Sequence, residues 1–156
     1  MNAMAPTRPT ELHERRVRLA TGPAAAGEAR RQVQAAICAW DIPVDPDVAV
    51  LLVSELVTNA IRQEVSRTVT LAIRCSCAQL RVEVHDTSCF LPVLADSPAD
   101  AETGRGLVLV ATLSADWGFY RTPAGKAVYF TLAFQPDRAG AGRRAVRSSR
   151  RNGAQG

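Results

Sequence analysis

Three groups of polar residues have types and spacings that suit chemistry. Glu55 and Asn59 lie four apart in VSELVTNAIRQ (53–63). On a helix that spacing puts both side chains on one face. A carboxylate and an amide oxygen so placed hold a hard cation and polarise a water or a hydroxyl. A solvated polar face gives the same spacing. Asp86 ends the run VEVHD (82–86). An acid at the end of a buried strand accepts a ligand's hydrogen bond, and it equally well caps the loop that follows. Thr103-Gly104-Arg105-Gly106-Leu107 precedes an apolar run. Glycines there let backbone N–H groups approach a phosphate at a helix start, and Arg105 adds a charge-assisted contact. A hinge or a helix cap reads the same way.

Other cradles are missing. No GxxxxGK[ST] loop occurs, Gly125-Lys126 reads as part of a turn, and no GxGxxG follows a strand-like run. The four cysteines form no CxxC pair, and His13 and His85 have no ligand spacing to them. Cys75 and Cys77 continue the alternation of Val69, Leu71 and Ile73, which marks both as small core residues.

The elements that must position these residues follow from periodicity. Residues 16–20 alternate like an edge strand, and Thr21 is placed to cap a helix over 23–39. Asp45 and Pro46 open a long buried helix over 46–63, with Ala49, Val53, Leu56, Val57 and Ala60 as its apolar sector. Runs 67–77 and 79–86 alternate around a short turn and predict a hairpin. Residues 87–106 carry prolines, glycines and acids without a period, which predicts a functional loop or lid. A short helix over 107–115 and a closing hairpin, 116–121 with 127–134, complete the pattern. Hairpins separated by helices predict an α+β two-layer sandwich: a mixed, mostly antiparallel sheet with helices on one face.

The chain has 156 residues and a formal net charge of +4. Residues 136–156 hold six arginines against Asp137, a net +5, which leaves −1 for residues 1–135. The predicted folded part, residues 13–135, is therefore not basic. Residues 1–12 are expected to be a flexible N-terminus, and 136–156 a disordered Arg-rich tail able to grip nucleic acid only weakly. No apolar run reaches the length of a membrane span and no secretory leader is visible, which points to the cytoplasm.

Taken together, VSELVTNAIRQ, VEVHDTS (82–88) and GRGLVLV (104–110) resemble the N box and the two glycine boxes of one ATPase superfamily. That superfamily includes gyrase, heat-shock chaperones, sensor histidine kinases and mismatch-repair ATPases. The ending DWGFYRTPAGKAVYFTL is similar to the terminal hairpin of the anti-sigma factor serine kinases and their actinobacterial relatives. The resemblance implies a Bergerat-type fold that binds ATP and Mg²⁺. It implies Asn59 as the Mg²⁺ ligand, Glu55 as general base and Asp86 as acceptor for the adenine amino group. Gly104, Arg105 and Gly106 would cradle phosphate, and Thr131 would add an adenine-side contact. It further implies a protein that sequesters a sigma factor and phosphorylates a serine on an anti-sigma factor antagonist, with a homodimer common in that branch. The alternative is a non-catalytic ATP-sensing regulator. The chain departs from the pattern where Thr87, Ser88 and Cys89 follow Asp86 without a glycine, at Gln63, and at Thr103.

Overall fold

Strands that alternate apolar and polar residues bury one face, and the helices here supply the apolar stripes that cover it. The computed structural model describes residues 12–63, 66–88 and 101–135, with the side chains of Gln63 and 101–105 outside that set. The predicted flexible terminus, the middle of the predicted lid and the Arg-rich tail lie outside the described residues.

The elements run β1 (His13–Ala20), α1 (Ala25–Ala39), α2 (Pro46–Gln63), β2 (Thr68–Cys75), β3 (Gln79–Asp86), α3 (Ala101–Leu113), β4 (Asp116–Thr122) and β5 (Gly125–Ala133). The sheet has five strands in the order β1-β2-β3-β5-β4. Every pairing is antiparallel, so the expected α+β sandwich stands, while the sheet is antiparallel rather than mixed. β5 is inserted between β3 and β4, which makes β3 an interior strand.

Register sorts the side chains into two faces. Leu80, Val82 and Val84 of β3 lie opposite Leu132, Phe130 and Val128 of β5, and all are buried in the core. From α2, Leu52, Val53, Leu56 and Val57 are almost fully buried in the same core. Full burial of each such side chain contributes about 1.5–3 kcal/mol. α2 packs against both α1 and α3 and touches β3 and β5. No helix among the described residues is long and apolar enough to cross a membrane.

Local chemistry sets several ends. Asp45 accepts a hydrogen bond from Asp47 N–H at 2.9 Å and opens α2 as its type predicts. α1 closes in a Schellman turn: Asp41 adopts φ 52°, Ile42 N–H bonds to Ile37 O, and Asp41 N–H to Cys38 O. Asp tolerates that left-handed position better than most residues.

Three expectations are corrected. Thr21 does not cap α1, whose N-cap is Ala24 with no side-chain bond; Thr21 N–H bonds instead to Arg67 O at 2.9 Å and ties β1 to the approach of β2. Cys77 is exposed in the β2–β3 turn, because the strand ends at the buried Cys75. α3 starts at Ala101 rather than after Gly106, so Gly104, Arg105 and Gly106 lie inside a helix.

Candidate functional site

On α2 the residues facing the core are Leu52, Val53, Leu56, Val57 and Ala60, which leaves Ser54, Glu55, Thr58 and Asn59 half-buried along the other side. Glu55 and Asn59 therefore share one helix face, as their spacing requires. Ser54 accepts a hydrogen bond from Arg30 of α1 at 3.1 Å and donates one to Val50 O at 2.7 Å. These contacts fix the α1 side of the helix next to Glu55.

The Glu55 carboxylate lies directly against Gly106 of α3. A Cβ at position 106 would overlap Glu55 Oε2 and approach its Cδ to 3.3 Å and its Cβ to 3.4 Å. Only glycine gives the carboxylate this seat. Glu55 and Gly106, 51 positions apart in the chain, are thus direct neighbours. Gly104 shares the helix with Gly106, and the side chain of Arg105 lies outside the described residues.

Asp86 closes β3 on the core-facing side, in line with Val82 and Val84. Its Oδ1 accepts a hydrogen bond from Ser88 N–H at 2.9 Å, an Asx turn that bends the chain away from the strand. The same oxygen accepts one from Lys126 Nζ at 2.9 Å. The side chains of Lys126 and Asp86 are 1% and 0% exposed, so this is a fully buried ion pair. β5 comes this close because residue 125 is glycine: a Cβ there would overlap Asp86 O and reach Thr87 Cα at 2.6 Å.

Lys126 is the site residue that motif reading missed. Its signal is present in the alternation of Val128, Phe130 and Leu132, which extrapolates backwards to put residue 126 on the core side. The neighbouring Thr-Pro-Ala-Gly turn hid it, since a lysine beside a turn reads as solvated.

Thr131 is not brought to Asp86. It faces the opposite side of the sheet, paired in register with Arg81 and Asp116. It also lies five residues along β5 from Lys126, roughly 17 Å at strand rise.

That opposite face holds a second polar cluster around Glu83, which is 1% exposed. Arg81 Nε and Tyr120 O–H donate to its two oxygens, each at 2.9 Å, and His85 Nε2 lies 3.0 Å from Oε2. Arg81 stacks on the Tyr129 ring at 3.8 Å. Burial pushes the Glu83 carboxyl up, but the bonds from His85, Arg81 and Tyr120 outweigh it and bring it to about 2. Because the folded value is depressed, the stabilisation is complete above the ordinary value near 4.5 and is lost as the pH falls towards 2. Loss of this stabilisation is expected to lower the unfolding free energy by about 3 kcal/mol between pH 5 and pH 2. Glu83→Gln should lose that much less over the same range in urea titrations. Equal acid sensitivity of the two proteins would refute the assignment.

The donor set fits a divalent cation only in company. Among the described residues, no group of three or more His, Cys, Asp or Glu could hold a metal ion. Asn59 offers one hard oxygen, which suits Mg²⁺ that keeps most of its ligands from water and phosphate.

A family model described as a histidine kinase-like ATPase domain matches residues 19–132, a span from the end of β1 to nearly the end of β5. No curated protein matches the chain.

Proposed function

The chain belongs to the histidine kinase-like ATPase domain family, and from that premise we propose that it is an ATP-dependent protein serine kinase acting as an anti-sigma factor. In this reading it binds Mg-ATP, sequesters a sigma factor and phosphorylates a serine of an anti-sigma factor antagonist. The family supports nucleotide binding. The finer activity is argued from one observation, the Glu55 carboxylate seated on Gly106 one helical turn before Asn59.

Phosphoryl transfer needs positioning and charge neutralisation more than covalent help. Mg²⁺ supplies neutralisation of phosphate charge when bound. Asn59 would hold that ion through its side-chain oxygen. Glu55 accepts the proton of the serine hydroxyl and keeps its aim because Gly106 leaves its carboxylate room. Asp86, acceptor-only when ionised, selects a base that presents an amino group. Gly104, Arg105 and Gly106 lie inside α3, where backbone N–H groups are taken by the helix, so they form no helix-start cradle for phosphate. Thr131, on the far face of the sheet, takes no part in this arrangement.

Calorimetry with Mg-ATP tests the reading. Wild type binds, and Asn59→Ala loses at least about tenfold in affinity, the effect of one hydrogen bond to a charged group. Equal binding by both proteins would remove Asn59 from the site.

The buried Asp86–Lys126 pair favours a second reading, a regulator that senses ATP without turnover. Nucleotide then shifts partner affinity by favouring one conformation. ATP binding with no phosphate transfer to any antagonist selects this reading over the first. A homodimer and a cytoplasmic setting accompany either reading as proposals.

A further inference from the structure

The group that should read the base is already engaged. Resting on the reading of Asp86 as acceptor for an adenine amino group, we propose that Lys126 supplies that amine in cis and sets the affinity for adenine nucleotides by competing with them.

Four observations carry this. Lys126 Nζ lies 2.9 Å from Asp86 Oδ1, the distance of a formed charge-assisted bond. Both side chains are excluded from water, so the pair is not a surface contact that solvent screens. Register fixes the encounter: Asp86 and Lys126 are cross-strand partners at the end of the β3–β5 ladder, on the core-facing side. Gly125 then removes the one side chain that would hold the strands apart beside Asp86. The lysine is thus delivered by the sheet itself and not by a mobile loop.

An ammonium carries three donors and a full charge, whereas an adenine amino group carries two donors and none. At the same carboxylate the ammonium is the stronger partner. An incoming purine must displace it or accept a carboxylate whose charge is already neutralised. Either way, Lys126 weakens base binding. A lysine that contacted phosphate would have the opposite effect, and that difference in sign decides between the two roles.

Calorimetry on the full chain provides the test, with adenosine, Mg-ATP and Mg-tripolyphosphate as separate probes. Lys126→Thr and Lys126→Gln are expected to bind adenosine and Mg-ATP about ten- to a hundredfold more tightly than wild type, the span of one bond to a charged group. Lys126→Arg keeps the cation at Asp86 and gains no affinity for adenosine. Tripolyphosphate binding is unchanged throughout. Lys126→Gln retains a donor for Asp86, so it carries the test where Lys126→Thr fails to fold.

Equal or weaker adenosine binding by the variants overturns the proposal, and if Mg-ATP still binds, the nucleotide reading survives it. Weaker tripolyphosphate binding makes Lys126 a phosphate ligand and also overturns it. Absence of binding by every protein overturns both. A measurement on unaltered protein stands beside these. The ¹⁵Nζ signal of Lys126, slow to exchange when buried, shifts as adenosine saturates the site; an unmoved signal at saturation overturns the proposal.

Discussion

Asp86→Ala is expected to destabilise the domain by about 3–5 kcal/mol, because it breaks a buried ion pair by removing one of its members. The Lys126 side chain is 1% exposed, and the residue pairs with Asp86 at the end of the β3–β5 ladder. Urea denaturation at neutral pH gives the free energy directly, and a melting-temperature drop on the order of 10 °C accompanies it. The double variant Asp86→Leu/Lys126→Met should recover most of the loss, since apolar residues of similar volume replace a buried pair at little cost. A single variant within about 1 kcal/mol of wild type would mean that Lys126 finds another partner or water. Any binding defect of Asp86→Ala must therefore be read only from its folded fraction.

The second large effect concerns rate. Glu55→Gln should lower phosphate transfer to a serine by about a hundred- to ten-thousandfold while leaving nucleotide binding intact, the usual contribution of a general base. Gly106→Ala should act in the same direction through geometry alone. The added Cβ takes the position of Glu55 Oε2 and turns the carboxylate away. The carboxylate tip is free to rotate, so the fold tolerates the change. Alanine is also better than glycine inside a helix by about 1 kcal/mol, so stability holds or rises as transfer falls. Labelled-phosphate transfer assayed beside thermal unfolding separates the two effects. Full activity in Gly106→Ala would sink the assignment of Glu55 as base.

Much of the fold is legible in the chain because α2 and the strand alternations are strongly periodic. The apolar sector of α2 and its limits at 46 and 63 follow from Asp45, Pro46 and the spacing of Val53, Leu56, Val57 and Ala60. Sharing of a face by Glu55 and Asn59 is a consequence of that period. What lay beyond reading was tertiary. Nothing local to Glu55 announces Gly106, since their contact depends on how α2 packs on α3. The start of α3 at Ala101 was hidden because Gly104 and Gly106 look like a terminus when propensity is read residue by residue. Strand parity, and not proximity to the closing hairpin, puts Thr131 on the sheet face opposite Asp86. Glu83 lies three residues before Asp86 yet on the other side of the sheet for the same reason.

The insertion of β5 between β3 and β4 has a consequence for how the protein emerges from the ribosome. Until residues 125–133 have been made, β3 has one bonded edge on β2 and one bare edge. Asp86 then has no lysine beside it, because its partner lies 40 positions downstream. The nascent chain therefore passes through a stage in which the carboxylate is uncompensated and a strand edge invites pairing with another chain. Pairing of the last hairpin covers that edge and brings Lys126 to Asp86. Chains stopped before residue 125 should accordingly aggregate, whereas a stop after Gln135 leaves both the ladder and the ion pair complete.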